Sequence, residues 1–504
     1  MFKDHRTGVK IMKKKRVAAL LTAAALTASV FGGCGKEKET TKNYDNVLNK
    51  DNPVTITIWH YYNGVQLMGF DEAVEEFNNT VGLEKGIIVE AYSKNSVSEL
   101  SDSVLASVKK DSGADTPPDI FQTYAETAYV VDQLDGLADM SKYFTDEQLS
   151  EYIDGYISEG EFAGDGSLKI FPIAKSTEVM MLNGTDWQKF ADATGVTTDD
   201  LKTWEGLVDV SEKYYNYTDE QTPDVPNDGK AFFGRDSIAN YMSIGAKQLG
   251  SELVTLDKDG NATLNADKTA LRRLWDNYYV PYVKGYFTSQ GRFRSEDAKI
   301  GTIIALVCST TGALYFPTEV TIGDDDTYPI ECKVLPVPNF EGTDPYIVQQ
   351  GAGLSVLKSD EAHEYASAVF LEWFTQKDRN INFSVESGYI PVKKDACDYS
   401  QIEKISADAG KELSDICKGT LSLAIDEIKS YNLYTMPPFK NSADVRTFLE
   451  SRIQDTAQAA YDEASEKISG GEDRETVIAE YTGDEAFDSW YDSFCTDLEA
   501  IIEK

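Results

Sequence analysis

Val54-Thr-Ile-Thr-Ile58 alternates apolar and polar side chains with a period of two, the pattern of a half-buried strand. Downstream, Phe70, Val74 and Phe77 share one face of a helix that the pattern places behind Asp71. Residues 87–92 predict a second strand and residues 98–110 a helix; residues 119–124 predict a third strand after the stop at Pro117-Pro118. Strands separated by helices of about ten to fifteen residues predict a mainly parallel sheet with helices on both faces, an α/β fold. Farther on, residues 302–308 read as a strand. Glu361–Phe374 reads as a helix with Ala362, Ala366, Val369, Phe370, Trp373 and Phe374 at helical spacing. Trp373 is expected in the core rather than at a ligand. Leu449, Ile453, Ala457, Ala460 and Ala464, three or four apart, predict a helical end. At 504 residues the chain is long enough for two lobes.

The first residues read as an export signal. Met12-Lys-Lys-Lys-Arg16 is a basic start, residues 17–30 are apolar or small, and Phe31-Gly-Gly-Cys34 follows. The apolar stretch is shorter than the roughly 20 residues that span a bilayer. A basic region, a short apolar region and small residues before the cut form a secretory signal, here residues 1–33. The cysteine after the small pair resembles that of a bacterial lipoprotein, lipidated and made the mature N-terminus. Phe31 departs from the usual aliphatic residue. Met12 begins a complete signal, so Met1 is either an upstream start or part of a longer basic region. Residues 34–50 then form a lipidated, flexible tether with little apolar content. The expected location is the outer face of the bacterial cytoplasmic membrane.

Charge excludes some partners. The chain has 48 basic and 85 acidic side chains; without the signal, 41 face 84. Phosphate backbones need basic patches, so neither nucleic acid nor an anionic membrane is expected as a direct ligand. Five cysteines besides Cys34 are scattered without a C-x-x-C, which is no disulfide framework. There is no G-x-x-x-x-G-K-[ST], H-E-x-x-H or G-x-S-x-G. Only His60 and His363 lie beyond the signal, so a histidine triad or zinc site is not expected. Asp257-Lys-Asp-Gly260 reads as a hairpin turn, and residues 324–326 as a solvated acidic loop. No cofactor, no metal and no enzymatic activity are expected.

Four stretches carry a family resemblance. They are Thr57-Ile-Trp-His60 before Tyr61-Tyr-Asn-Gly64, then Ile170-Phe-Pro-Ile-Ala-Lys-Ser-Thr-Glu-Val-Met-Met-Leu-Asn183 with Trp187 and Thr203-Trp-Glu205 after it. Gln349-Gln-Gly-Ala-Gly-Leu-Ser355 and Ser387-Gly-Tyr-Ile-Pro391 follow. In this order they resemble the extracellular solute-binding proteins of sugar ABC importers, the glycerol-3-phosphate-binding branch most, the maltose-binding protein more distantly. The resemblance implies a two-lobed periplasmic-binding-protein-like fold that closes on a ligand in its cleft. Residues 171–175, 348–353 and 388–393 would cross between lobes. Lobe one would be 51–172 plus 353–388, and lobe two 173–352 plus 389–504. Closure creates a surface that a permease can distinguish, provided the ligand prefers the closed state. The partners implied are a carbohydrate or glycerophosphate ligand, ABC permease subunits and, through the lipid, a membrane; the protein is expected to be monomeric.

The same resemblance assigns the ligand-binding residues. Glu126 lies one residue from the family's ligand-binding glutamate, and it reads equally as an acid favoured at a helix start. Ser176 matches a ligand-contacting serine. Thr310 and Thr311, after a strand, would open a helix and present N–H donors, as would a plain strand-to-helix turn. Gly351 matches a glycine that approaches the ligand closely, with Gln350 where the branch has another glycine. Tyr389 matches the tyrosine of a G-Y-x-P motif, suited to stacking or hydrogen bonding. Arg446 matches a phosphate-contacting arginine, whose fork also suits paired hydroxyls; otherwise it is a surface arginine in an acidic helix. Near residues 94–97 the branch's tyrosine is absent, and Gly234-Arg-Asp-Ser-Ile-Ala-Asn-Tyr241 lacks its tryptophans, offering Asp236 and Tyr241 instead. These departures favour a carbohydrate slightly.

Two other classes share the export signal and acidity. A surface glycoside hydrolase would need two carboxylates at fixed separation, and a lipid-anchored adhesin or sensor subunit would bind a macromolecule without closure. Cys34→Ala is expected to leave protein lacking the diacyl modification by mass spectrometry. Wild-type protein with an unmodified N-terminus elsewhere would overturn the anchor.

Overall fold

The alternation at Val54 builds the centre of a sheet. Strand Val54–His60 runs parallel to Ile87–Ser93 on one side and to Ile120–Thr123 on the other. Gly353–Val356 completes this sheet, antiparallel to Ile120–Thr123. Ile56 faces Val89 across the parallel ladder, and Ile58 is flanked by Ala91 and Ile120. One face of the sheet buries Ile56, Ile58 and His60 against Phe70 and Phe77 of helix Gly64–Asn79 and against Phe370, Trp373 and Phe374 of helix Glu361–Phe374. Trp373 is core, as its spacing predicts. The helix expected behind Asp71 begins instead at Gly64, because Asn63 and a positive-φ Gly64 already turn the chain and nothing between them and Asp71 breaks a helix. The coordinates are a computed structural model that describes Tyr44, residues 46–323 and residues 326–504. The export signal and Cys34 lie outside the described residues.

A second four-stranded sheet has the order Cys332–Leu335, Glu178–Asn183, Ala305–Ser309, Phe233–Arg235. Here the expected mainly parallel pattern fails: Glu178–Asn183 is antiparallel to both neighbours, and only Phe233–Arg235 and Ala305–Ser309 run parallel. The reason is the route of the chain. Strands delivered by a helical crossover come in parallel, whereas Glu178–Asn183 enters from the opposite end, straight out of the segment that leaves the first sheet. Its core gathers Trp204, Tyr241, Tyr278 and Phe340 beneath the helix Ser442–Ser469. Val445, Leu449, Ile453, Ala457, Ala460 and Ala464 form the buried stripe of that helix, at the predicted spacing.

Three segments link the sheets and are sewn together by backbone hydrogen bonds. Phe171 N donates to Leu354 O at 2.8 Å, Lys175 N to Ile390 O at 3.1 Å, and Ser176 N to Gln350 O at 2.8 Å. Gly388 adopts the left-handed conformation that ends helix Lys377–Ser387. Asp257-Lys-Asp-Gly260 turns between the antiparallel strands Val254–Leu256 and Ala262–Leu264. Asp326 opens a strand, Asp326–Pro329, rather than a loop; Asp324 and Asp325 are outside the described residues. Cys308, Cys332, Cys397, Cys417 and Cys495 are free thiols. No helix among the described residues is long and apolar enough to cross a membrane.

Two buried titratable groups set opposite pH dependences. His60 has no exposed surface; burial lowers its pKa to about 4. Its charged form is favoured only in the unfolded chain, so stability falls as pH drops from 6.5 toward 4. Glu427 is buried with both carboxylate oxygens lacking a hydrogen-bond partner among the described residues, and burial raises its pKa to about 8. It binds a proton more tightly when folded, so stability falls as pH rises from 4.5 to about 8. Above pH 6.5 the His60 effect is spent, and raising pH to 8 is expected to cost about 2 kcal/mol through Glu427. Glu427→Gln is expected to remove that loss in urea titrations at both pH values. A variant that tracks wild type would overturn the assignment.

Candidate functional site

Glu126 stands in the first turn of helix Ala125–Gln133, at the carboxyl end of strand Ile120–Thr123, where α/β sheets place their ligands. Facing it from the second half are Asn240 and Ser243 of helix Ile238–Gln248, Tyr434 to Met436, and Arg446 near the start of helix Ser442–Ser469. Val348, on a linking segment, closes the wall. The space enclosed is about 10 Å³, room for about one water. Beside it opens a cavity of about 440 Å³ that shares Tyr434 and Thr435 and adds Ala125, Glu159, Phe162, Gln349, Pro437 and Pro438.

Arg446 makes no ion pair among the described residues. Its Nη2 donates to Asn240 Oδ1 at 3.3 Å. Asn240 Nδ2 donates to Glu178 Oε1 at 2.9 Å and to Gln350 Oε1 at 3.1 Å. Tyr124, beside Glu126, has its hydroxyl 3.4 Å from that of Tyr61. Burial raises the Tyr124 pKa; Arg446 pulls it down, and Glu126 and Glu159 push it up. On the linking segments, buried Lys175 pairs with Glu159 and donates to Gly351 O at 2.7 Å. Gln349 Nε2 donates to the same Glu159 carboxylate at 2.6 Å. The larger cavity is therefore edged by a carboxylate already held twice.

The eight residues assigned from sequence fall into two groups. Glu126 and Arg446 line one cavity, and Gln350 is joined to Arg446 through Asn240. Ser176 lies behind Gln350, paired with it through both backbone groups at 2.8 and 3.0 Å. The others surround the linking segments without lining either cavity. Thr310 and Thr311 do open a helix, Thr310–Ala313, but its donors are largely taken: Thr310 N donates to Thr177 O and Gly312 N to Ser309 Oγ, both at 2.9 Å. Gly351, at φ 91°, turns its missing side chain toward the first linking segment; a Cβ there would lie 2.9 Å from Ala174 O and Lys175 Cα. Tyr389 packs in the first core, stacked on Phe383 at 6.2 Å and edge-on to Tyr62 at 6.4 Å. Burial raises its pKa, with Tyr124 adding to the shift and Tyr61 and Gln66 opposing it.

Within residues 234–241 the polar side chain that lines this cavity is Asn240; Asp236 and Tyr241 lie outside its lining. Tyr241 is core, its hydroxyl donating to Leu274 O at 2.8 Å and its ring edge-on to Trp204. Asp236 accepts from Arg294 N at 3.1 Å, and burial raises its pKa to about 6. The available signal was a lone amide in Ile238-Ala-Asn-Tyr-Met242, an apolar run that opens a helix. Glu178 was equally visible, an acid beginning a fully buried strand. A separate cavity of about 330 Å³, lined by Lys230, Tyr282, Phe287 and Tyr461, includes none of the assigned residues.

Comparison with curated protein sequences gives no match. Solved structures are similar. The cyclic alpha-maltosyl-1,6-maltose binding protein of Arthrobacter globiformis superimposes with a TM-score of 0.64 at 18% identity, covering 90% of this chain and 100% of that one. UgpB from Mycobacterium tuberculosis in complex with glycerophosphocholine gives 0.60 at 17% identity over 90% and 99%. Lmo0181 from Listeria monocytogenes, an ABC substrate-binding protein in complex with cycloalternan, gives 0.60 at 13% over 89% and 99%. At these identities the likeness establishes the two-lobed fold. The model of bacterial extracellular solute-binding proteins matches residues 72–411, well over half of the chain, and the protein belongs to that family.

Proposed function

We propose that this protein captures a sugar, oligosaccharide or glycerophosphoryl solute outside the cytoplasm and delivers it to the permease of an ABC importer. Lobe one is 51–172 plus 353–388, lobe two is 173–352 plus 389–504, and a lipid on Cys34 holds the monomer at the membrane through residues 34–50. The observation that carries this reading is the cavity in which Glu126 and Arg446 face each other beside the linking segments. A solute touching both would bind the closed arrangement better than the open one, which is the condition for ligand-driven closure. The enclosed space is too small for a sugar, so entry requires the walls to part first.

The panel takes the solutes named for the similar structures, cyclic alpha-maltosyl-1,6-maltose, cycloalternan and glycerophosphocholine, and adds maltose and simpler glycerophosphates. A solute present at 100 times its dissociation constant adds about 2.7 kcal/mol of stability, readable as a thermal shift. With that solute, small-angle scattering is expected to show a smaller radius of gyration; an unchanged curve at saturation, from a free form shown to be open, would overturn closure.

Mutants then separate the solute classes. For a phosphorylated solute, Arg446→Ala is expected to cost roughly 2–5 kcal/mol of binding and to flatten its salt dependence. For a neutral sugar, the loss in Tyr389→Ala should be at least as large. Tyr389 is a packing residue as well, so Tyr389→Phe, which keeps the ring on Phe383 and removes only the hydroxyl, is read beside it and is expected to cost about 1 kcal/mol. Calorimetry that finds both alanine variants near wild type would place the solute elsewhere.

A further inference from the structure

Asn240 stands where three polar groups meet, and their chemistry decides how its amide is turned. Glu178, 5% exposed, offers acceptors only, so Nδ2 must face it, as it does at 2.9 Å. The same group reaches Gln350 Oε1 at 3.1 Å, which leaves Oδ1 for Arg446 Nη2 at 3.3 Å. Glu178 is itself fixed, both oxygens lying 2.7 Å from Nη2 of Arg235, which is 3% exposed. Arg235 Nε donates to Asp236 O at 3.0 Å, and its guanidinium lies over the rings of Trp204 and Tyr241. Asn240 is 1% exposed, so bulk solvent does not compete for its amide.

The consequence falls on Arg446. A neutral amide oxygen sets the direction of the guanidinium without neutralising its charge, whereas a carboxylate in the same place would form an ion pair. Glu126 lines the same cavity and makes no ion pair with it among the described residues. We propose that Asn240, turned by the Glu178–Arg235 pair, is a positioning residue that aims Arg446 into the cavity with its charge unspent and thereby selects solutes bearing an anionic oxygen group. This rests on the cavity being the solute site. Through Gln350 the same amide is tied to the linking segment that pairs with Ser176.

Inorganic phosphate is a sufficient probe. The thermal midpoint of the full-length protein is followed against phosphate, with chloride exchanged to hold ionic strength constant. Wild type is expected to show a saturable rise that Arg446→Ala abolishes. Asn240→Asp, which sets a carboxylate against the guanidinium, is expected to abolish it too. Asn240→Leu, which changes no charge, should weaken the response roughly three- to tenfold. Glu178→Gln gives the sharpest sign: removing a negative charge strengthens phosphate binding by field alone, whereas loss of the enforced amide orientation weakens it. Should that variant unfold through its unpaired Arg235, seen as a collapsed midpoint in chloride, the two Asn240 variants carry the test. A response lost in Arg446→Ala but unchanged in both Asn240 variants would overturn the role of Asn240 and leave the cavity standing. A wild type indifferent to phosphate would overturn the selection of anionic solutes and leave the cavity to a neutral one.

Discussion

The pairing of residues 171–176 with 350–354 on one side and with Ile390 on the other is the constraint from which the rest of the molecule follows. Two sheets built from interleaved parts of one chain could be joined loosely; here the joints share a ladder of backbone hydrogen bonds. Such bonds survive small rotations and resist sliding, so any relative motion of the halves would be confined to bending at these strands. The same ladder fixes which residues can face one another. Ser176 and Gln350 are opposite partners, and this register carries the Gln350 side chain to Asn240.

Electrostatics follows the same geometry. The chain carries a formal charge of −37, and each of its buried cations among the described residues is matched to an acid: Lys169 to Asp132, Lys175 to Glu159, Arg235 to Glu178 and Arg294 to Asp297. Such pairing is what a buried charge requires. Arg446 is half-buried and makes no ion pair among the described residues. It stands near the start of a 28-residue helix whose remaining turns are locked into the second core, so its backbone is held by distant packing rather than by a local partner.

How much of this was legible in the sequence depended on whether a residue acts through its neighbours along the chain or across it. The alternation at 54–58 and the apolar stripes in Glu361–Phe374 and Ser442–Ser469 are local signals, and the elements formed where the patterns lie. Thr203 likewise caps helix Trp204–Asp219, its hydroxyl accepting from Gly206 N at 3.1 Å. The direction of Glu178–Asn183 was not legible, because it depends on the end from which the chain enters the sheet. Arg446 and Glu126 could be picked out by resemblance, but nothing local tells that Asn240 joins one of them to a linking segment 110 residues away. Tyr389 shows the converse: an aromatic in a recognisable motif reads as a ligand platform, and its packing against Phe383 and Tyr62 depends on helices that no local signal brings together.

Gly351 gives the joint an adjustable tolerance. Its φ of 91° already excludes most side chains, and the first atom added would press on the carbonyl of Ala174 and the Cα of Lys175. Such an atom would act as a wedge between two paired segments, pressing also on the backbone nitrogen of Ser176 at 3.0 Å and altering the resting angle of the halves. Lineages that diverge at this position would therefore shift the angle at which the two sheets rest, and a library confined to this one codon would sample that angle one side chain at a time.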